Sequence, residues 1–439
     1  MRRWLPASMV FSLTIVFAIA ARAAEPSCQL SIVTDRPDAL YTIGEKVQFQ
    51  VTLKKAGQAV TDGDILYVID KDGMPPVKQG RLKASKGPLV VEGSLTEPGF
   101  LRCRVSYPAG SKQTVTATAG AGFDPLAIKP SLPVPDDFDA FWTREKARLK
   151  AVPVKPVLTP VKSGIAGIEC FDVQISCVPP RPVSGYFARP SGAAPKSLPA
   201  VLHVQGAGVR SSNLGAAVGW AKKYRALSMD INAHGIPNGK PDQYYKNLSA
   251  GLLKDYRYAG RDDREKCYFL GMFLRMLRAI DFLTSQPEWD GKNLIVEGGS
   301  QGGGQSLAAA GLDPRVTMIA AGVPAICDHS GKVVGRINGW PKLVPDKDGK
   351  PDPEILQVAR YFDCMNFATR SKAEAIVSVG FIDGTCAPSS VYAAYNNLPG
   401  KKQIVCEPLM GHASTPRIQD AFARAVTEYL ARMKAGKKG

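Results

Sequence analysis

Residues 293–304, Asn-Leu-Ile-Val-Glu-Gly-Gly-Ser-Gln-Gly-Gly-Gly, constrain this chain more than any other stretch. An apolar run, Leu294-Ile295-Val296, leads into Gly298-x-Ser300-x-Gly302, and a helix-compatible segment follows from Gln305 to Ala310. Strand, sharp turn and helix in that order make a nucleophile elbow, which lifts one serine out of a sheet so that its hydroxyl faces a substrate. The turn is strained and brings helix and strand close. Gly302, Gly303 and Gly304 carry no side chain that could block that approach.

A serine hydroxyl is a poor nucleophile until a base removes its proton, and the base must itself be oriented by a third group. Chains with such an elbow place these groups in the order Ser, Asp or Glu, His. The chain has four histidines, His203, His234, His329 and His412. Only His412 lies well beyond the serine and after a further strand, Ile404-Val405, in the loop Met410-Gly411-His412-Ala413. The acid is expected at the end of the preceding strand. Residues 373–383 read as a buried parallel strand closing on Asp383, followed by the loop Gly384-Thr385-Cys386-Ala387-Pro388. Asp328, after the strand Met318 to Val323, and Asp363, in a helical segment, compete for the role.

A tetrahedral oxyanion needs two backbone N–H donors. One is expected from Gln301, the residue after the serine. The other is expected from Ala207, in the glycine-rich turn that ends the apolar run Val201-Leu202-His203-Val204-Gln205-Gly206-Ala207-Gly208. His203 reads as a strand residue with a satisfied side chain. His234, after the strand Leu227 to Ile231, reads either as a wall of the site or as a turn residue.

Several stretches carry a resemblance to the acetyl xylan esterase and cephalosporin C deacetylase family, carbohydrate esterase family seven. They are Gly298 to Gly304, Leu312-Asp313-Pro314-Arg315-Val316, Val323 to Asp328, Asp383 to Asn396, Gly411-His412 and, upstream, Pro135 to Trp142. The run 383–396 is the longest and most specific, and the likeness covers about residues 130–439. It implies an α/β-hydrolase with a mostly parallel, doubly wound sheet. It also implies a Ser300, Asp383, His412 triad, oxyanion donors at Gln301 and Ala207, an acetylated carbohydrate as substrate, and neither metal nor cofactor. The family assembles as hexamers, so a homo-oligomer is implied as well, with an extra amino-terminal domain as a departure. Two further departures are Gln205-Gly206-Ala207 where the family has His-Gly-Tyr, which removes a bulky pocket wall, and Asn232-Ala233-His234-Gly235 in place of an Arg-Gly-Gln-Gly turn.

Residues 1–23 combine Arg2 and Arg3, an apolar stretch from Met9 to Ala20, and Ala21-Arg22-Ala23, the pattern of a cleaved signal peptide. That stretch is short for a membrane span, so a secreted or periplasmic protein without a stable membrane anchor is expected. The formal charge is +17; the leader's Arg2, Arg3 and Arg22 contribute +3, leaving +14. Such a balance attracts acidic partners. No nucleic-acid motif accompanies it, and a nucleic-acid partner does not fit an exported chain. An acidic polysaccharide fits the field, as does an ordinary solvated basic surface. Nine cysteines in an oxidising compartment allow disulfides. Cys28 and Cys103 are expected to pair. Cys327 and Cys386 are expected either to pair or to remain small buried side chains.

Residues 24–125 alternate apolar and polar, as in Val47 to Leu53 and Leu101 to Val105, between turn signals such as Lys71-Asp72-Gly73. This predicts a small, all-β, immunoglobulin-like sandwich. The Pro-rich connector Pro125 to Pro135 then predicts two separable units, with residues 126–439 as the catalytic one. Within it, Phe269, Met272, Phe273, Met276, Leu277 and Ile280 form the stripe of an amphipathic crossover helix. The functional expectation is a serine esterase that removes O-acetyl groups from polysaccharide. Its rivals are a peptidase or carboxylesterase acting on non-sugar esters, and a non-catalytic polysaccharide-binding protein.

Overall fold

The computed structural model describes residues 28–110 and 113–435, so the leader 1–23 lies outside the described residues. The amino-terminal part is two packed sheets. One holds Cys28–Thr34, Val47–Lys55, Gln58–Ala59 and Leu89–Gly93. The other runs Leu40–Tyr41, Gln113–Phe123, Gly99–Gly110, Asp64–Asp70, Pro76–Lys83. Alternation does the sorting: Val47, Phe49, Val51 and Leu53 point into a core shared with Ile69, Leu101 and Val105 of the opposite sheet. The expected Cys28–Cys103 disulfide is absent. Cys28 sits at the outer end of its strand opposite Lys55, whereas Cys103 lies in the middle of the other sheet between Ile69 and Ala119. Burial pushes the Cys103 thiol up to about 12.

The remainder is a nine-stranded sheet clad by helices. Its strands are β1 (Pro156–Val161), β2 (Ile168–Ile175), β3 (Val183–Pro190), β4 (Leu198–Val204), β5 (Leu227–Ile231), β6 (Trp289–Gly299), β7 (Met318–Gly322), β8 (Glu374–Gly380) and β9 (Lys402–Glu407). Their spatial order is β1-β2-β3-β5-β4-β6-β7-β8-β9. Strands β4 to β9 pair in parallel, and β1 to β3 are antiparallel. The helices are α1 (Phe138–Ala151), α2 (Leu214–Tyr224), α3 (Asp242–Ala250), α4 (Tyr268–Ser285), α5 (Gln301–Leu312), α6 (Pro353–Ala359), α7 (Cys364–Ala368), α8 (Pro388–Asn396) and α9 (Pro416–Ala435). Apolar residues of α4 and α5 cover one face of the sheet, and those of α2 and α9 the other. Among the described residues no helix is long and apolar enough to cross a membrane.

From β4 the chain moves to one side to build β5, then crosses back to build β6 on the other side. The carboxyl ends of β4 and β6 therefore flank the switch point of the sheet, where a crevice opens by geometry alone. Ala207 follows the first of these strands and Ser300 the second.

The two parts share a continuous interface. Phe100 of the sandwich belongs to the large core of the catalytic part, with its ring 5.0 Å from Phe381 and 5.5 Å from Tyr392. Gly120 passes so close that a Cβ there would lie 2.6 Å from the Phe381 carbonyl oxygen. Ser389 N–H donates to Asp72 Oδ2 (3.0 Å), and Asn396 Nδ2 donates to the carbonyls of Pro125 and Ile128 (3.0 and 2.8 Å). Together these contacts hold residues 381–396, which include Asp383.

Asp72 is fully enclosed in this interface, and burial pushes its carboxyl up to about 6 against the N–H of Ser389 and the charge of Arg102. An unfolded Asp ionises near pH 4. The folded chain thus holds the Asp72 proton more tightly than the unfolded chain does. Stability from the protonated carboxyl is full below about pH 4 and is lost as pH rises toward about 6. Asp72→Asn keeps the acceptor oxygen and cannot ionise. Its melting temperature is expected to pull ahead of wild type as pH rises from about 4 to 7. Parallel melting curves across that range would refute this assignment.

Candidate active site

Ser300 is held at φ 58°, ψ −122°, the strained conformation of an elbow. Its N–H donates to Gly322 O (2.8 Å) and its carbonyl accepts from Ala325 N–H (2.9 Å), so β7 and the turn after it fix the strain in place. The helix that follows starts against β4: a Cβ on Gly302 would lie 2.1 Å from Val204 O. That contact is why this position takes only glycine.

His412 Nε2 lies 2.9 Å from Ser300 Oγ, and His412 Nδ1 lies 2.8 Å from Asp383 Oδ2. Asp383 is buried, and its other oxygen accepts from the N–H groups of Thr385 (2.8 Å) and Cys386 (2.9 Å). The carboxylate is therefore aimed by its own loop. Strand β8 ends at Gly380, three residues before the position read from the sequence, because Asp383 N–H turns back onto Gly380 O. Asp328 and Asp363 do other work. Asp328 pairs with Arg336 (2.8 Å) and Ser131. Asp363 caps α7 and accepts from the N–H groups of Asp328 and His329; burial, with Asp328 nearby, pushes it up to about 7.

Cys386 forms a small wall beside the serine. Burial, with Asp383 next to it, holds its thiol well above the ordinary range. It does not pair with Cys327, whose neighbour is the Cys364 thiol. Asp383, Cys386 and His412 are also the one cluster of potential metal ligands among the described residues. Two of its three members are already hydrogen-bonded to each other.

The Gln205–Gly208 loop packs against the serine, with Ser300 Cβ 3.6 Å from the Cβ position of Gly206. Arg210 holds the carbonyls of Gly206 and Ala207 (both 3.0 Å), and Gln305 Nε2 holds the Gln205 carbonyl (3.1 Å). Gln301 opens α5, so its N–H has no partner within the helix. His203 is satisfied by Asp230, as read; burial pulls its pKa down, but the carboxylate wins and the net shift is upward.

Two residues that sequence reasoning passed over or left open support this loop. Tyr256 O–H donates to Gln301 Oε1 (2.8 Å) and accepts from Gly208 N–H (3.3 Å). His234 is a support rather than a wall. Its Nε2 lies 3.0 Å from Gly208 O, which can only accept, so Nε2 carries the proton. Burial pulls the His234 pKa down to about 4, leaving Nδ1 free to accept from Tyr268 O–H (2.7 Å). Tyr256 sits in Asp255-Tyr256-Arg257-Tyr258, which carries no motif. Tyr256→Phe is expected to lower kcat about tenfold, the equivalent of one good hydrogen bond, with melting temperature nearly unchanged. Unchanged kcat would show that the loop needs no such brace.

Residues 127–430 match the family described as acetyl xylan esterase (AXE1), starting just after the sandwich. The acetyl esterase Axe7A of Xylanibacter ruminicola is 31% identical over 387 residues, covering 87% of this chain and 86% of its own. An acetyl xylan esterase from Paenibacillus sp. R4 superposes with a TM-score of 0.56 at 28% identity, over 69% of this chain and 98% of its own. Acetyl xylan esterase 1 from Thermoanaerobacterium sp. JW/SL YS485 gives 0.58 at 25% identity, over 68% and 95%. With a family match spanning most of its length and an α/β-hydrolase sheet beneath the serine, the chain belongs to the acetyl xylan esterase family and is a carboxylic ester hydrolase.

Proposed function

We propose that this protein removes O-acetyl groups from xylan-type polysaccharides or their oligosaccharides by way of an acetyl-enzyme. The hydrogen-bonded line Ser300 Oγ, His412 Nε2, His412 Nδ1, Asp383 Oδ2 carries this reading. Ser300 attacks the acetyl carbonyl while His412 takes its proton. Asp383 holds the imidazole in the tautomer whose Nε2 can accept, and stabilises the imidazolium that forms. The N–H groups of Gln301 and Ala207 receive the oxyanion. His412 then protonates the departing sugar alkoxide, and water, deprotonated by the same histidine, releases acetate. The small Ala207, where the family has a bulky residue, supports a substrate as wide as a sugar ring. The leader pattern of residues 1–23 supports an exported site of action.

One panel tests the proposal: initial rates on acetylated xylan, acetylated xylo-oligosaccharides, cephalosporin C, a simple aryl acetate and a peptide amide. Acetylated xylan and its oligosaccharides are expected to give the highest kcat/KM. A clear preference for the non-sugar ester or the amide would move the substrate class elsewhere.

A further inference from the structure

Next to His234 and Tyr256, the supports of the loop that carries Ala207, lies a pocket of about 350 Å³. Its walls include Val178, Arg181, Leu252, Lys254, Tyr268 and Arg275. Arg275 is 5% exposed. Its Nε and Nη2 both donate to the Ala233 carbonyl (3.1 and 2.7 Å). Arg181 donates to the His234 carbonyl (3.3 Å). Among the described residues no carboxylate pairs with Arg181, Lys254 or Arg275. The other charged groups of the pocket are taken: Arg148 by Glu145, Lys266 by Asp263 and Glu265 by Arg144. A buried guanidinium without a counter-ion, beside a second one, is costly. Burial draws the Arg275 pKa downward and Arg181 adds to it.

The remaining surface says what kind of anion fits. Guanidinium groups match a carboxylate by two parallel donors. The volume lies in the range of small-molecule sites, larger than a bare acetate or phosphate needs. Tyr268 and Val178 offer an aromatic and an apolar wall. Leu252, at 76% the most exposed of the large apolar side chains described, adds a third. These suit the C–H face of a sugar ring. We propose that this pocket binds a monosaccharide-sized carboxylate of the sugar-acid class, with the carboxylate seated among Arg181, Lys254 and Arg275. The inference stands on this pocket alone and does not depend on the triad reading.

The test is isothermal titration of the full-length protein with sodium glucuronate, sodium acetate, inorganic phosphate and glucose. Glucuronate is expected to bind saturably and to weaken as salt rises. Acetate, phosphate and glucose are each expected to bind at least tenfold more weakly. Arg181→Gln and Lys254→Gln, at the accessible rim, are each expected to weaken glucuronate at least tenfold with melting temperature unchanged. Absence of saturable binding, glucose binding as well as glucuronate, phosphate or acetate matching it, or full affinity in Arg181→Gln would each overturn the assignment.

Discussion

Ser300→Ala is expected to cut the turnover of a small acetyl ester by on the order of 10⁶-fold, the loss seen when a triad nucleophile is removed. The fold should survive. The strain at Ser300 is borne by the backbone bonds to Gly322 and Ala325, which alanine leaves intact. Alanine has the same Cβ, so it meets the φ of 58° with no new clash. What disappears is the Oγ that lies 2.9 Å from His412 Nε2. Residual turnover should come from oxyanion donors and binding alone. The readouts are kcat on an aryl acetate and the melting temperature. A variant with wild-type stability and activity within tenfold of wild type would remove Ser300 from the mechanism.

The second large effect is expected at Asp383→Asn, on the order of 10⁴-fold in kcat. The reason lies in how the two carboxylate oxygens are spent. Oδ1 accepts from Thr385 and Cys386, and Oδ2 accepts from His412 Nδ1. Asparagine has one acceptor oxygen. If it stays on the two backbone N–H groups, its amide N–H faces His412 Nδ1 and forces the proton onto Nε2. The imidazole can then no longer take the serine proton. Asp328→Asn and Asp363→Asn are expected to do the opposite, lowering stability with kcat largely retained, because those carboxylates serve Arg336 and the start of α7. A mild Asp383→Asn beside a crippled Asp328→Asn would reverse the assignment.

Much of the site could be read from the chain because its signals are local. Ser300, Asp383 and His412 each follow an apolar run at a strand's carboxyl end, and the parallel pairing of β6 to β9 puts those ends on one edge of the sheet. The parallel strands were legible for the same reason, since burial on both faces leaves unbroken apolar runs. Strand β1 was not: Pro156-Val-Leu-Thr-Pro-Val is mostly exposed and carries two prolines, as an edge strand can. The Cys28–Cys103 pairing failed because being the only two cysteines of the amino-terminal region says nothing about which sheet each joins. Tyr256 and His234 act on backbone atoms of Gly208, 48 and 26 positions away, and no spacing or composition marks such a contact. Phe100, Gly120 and Asp72 are equally ordinary in sequence, although they meet residues about 260–320 positions away.

The clamp on residues 381–396 has a consequence for how this enzyme dies on heating. The loop that aims Asp383 borrows its rigidity from Phe100 and Gly120 of the sandwich. Burying a phenylalanine of this kind is worth about 3–5 kcal/mol, and undocking the sandwich would forfeit it. Inactivation should therefore track the loosening of the amino-terminal part, not the melting of the nine-stranded sheet. Efforts to make a heat-resistant variant would gain more from the seam around Phe100 than from the core beneath the serine.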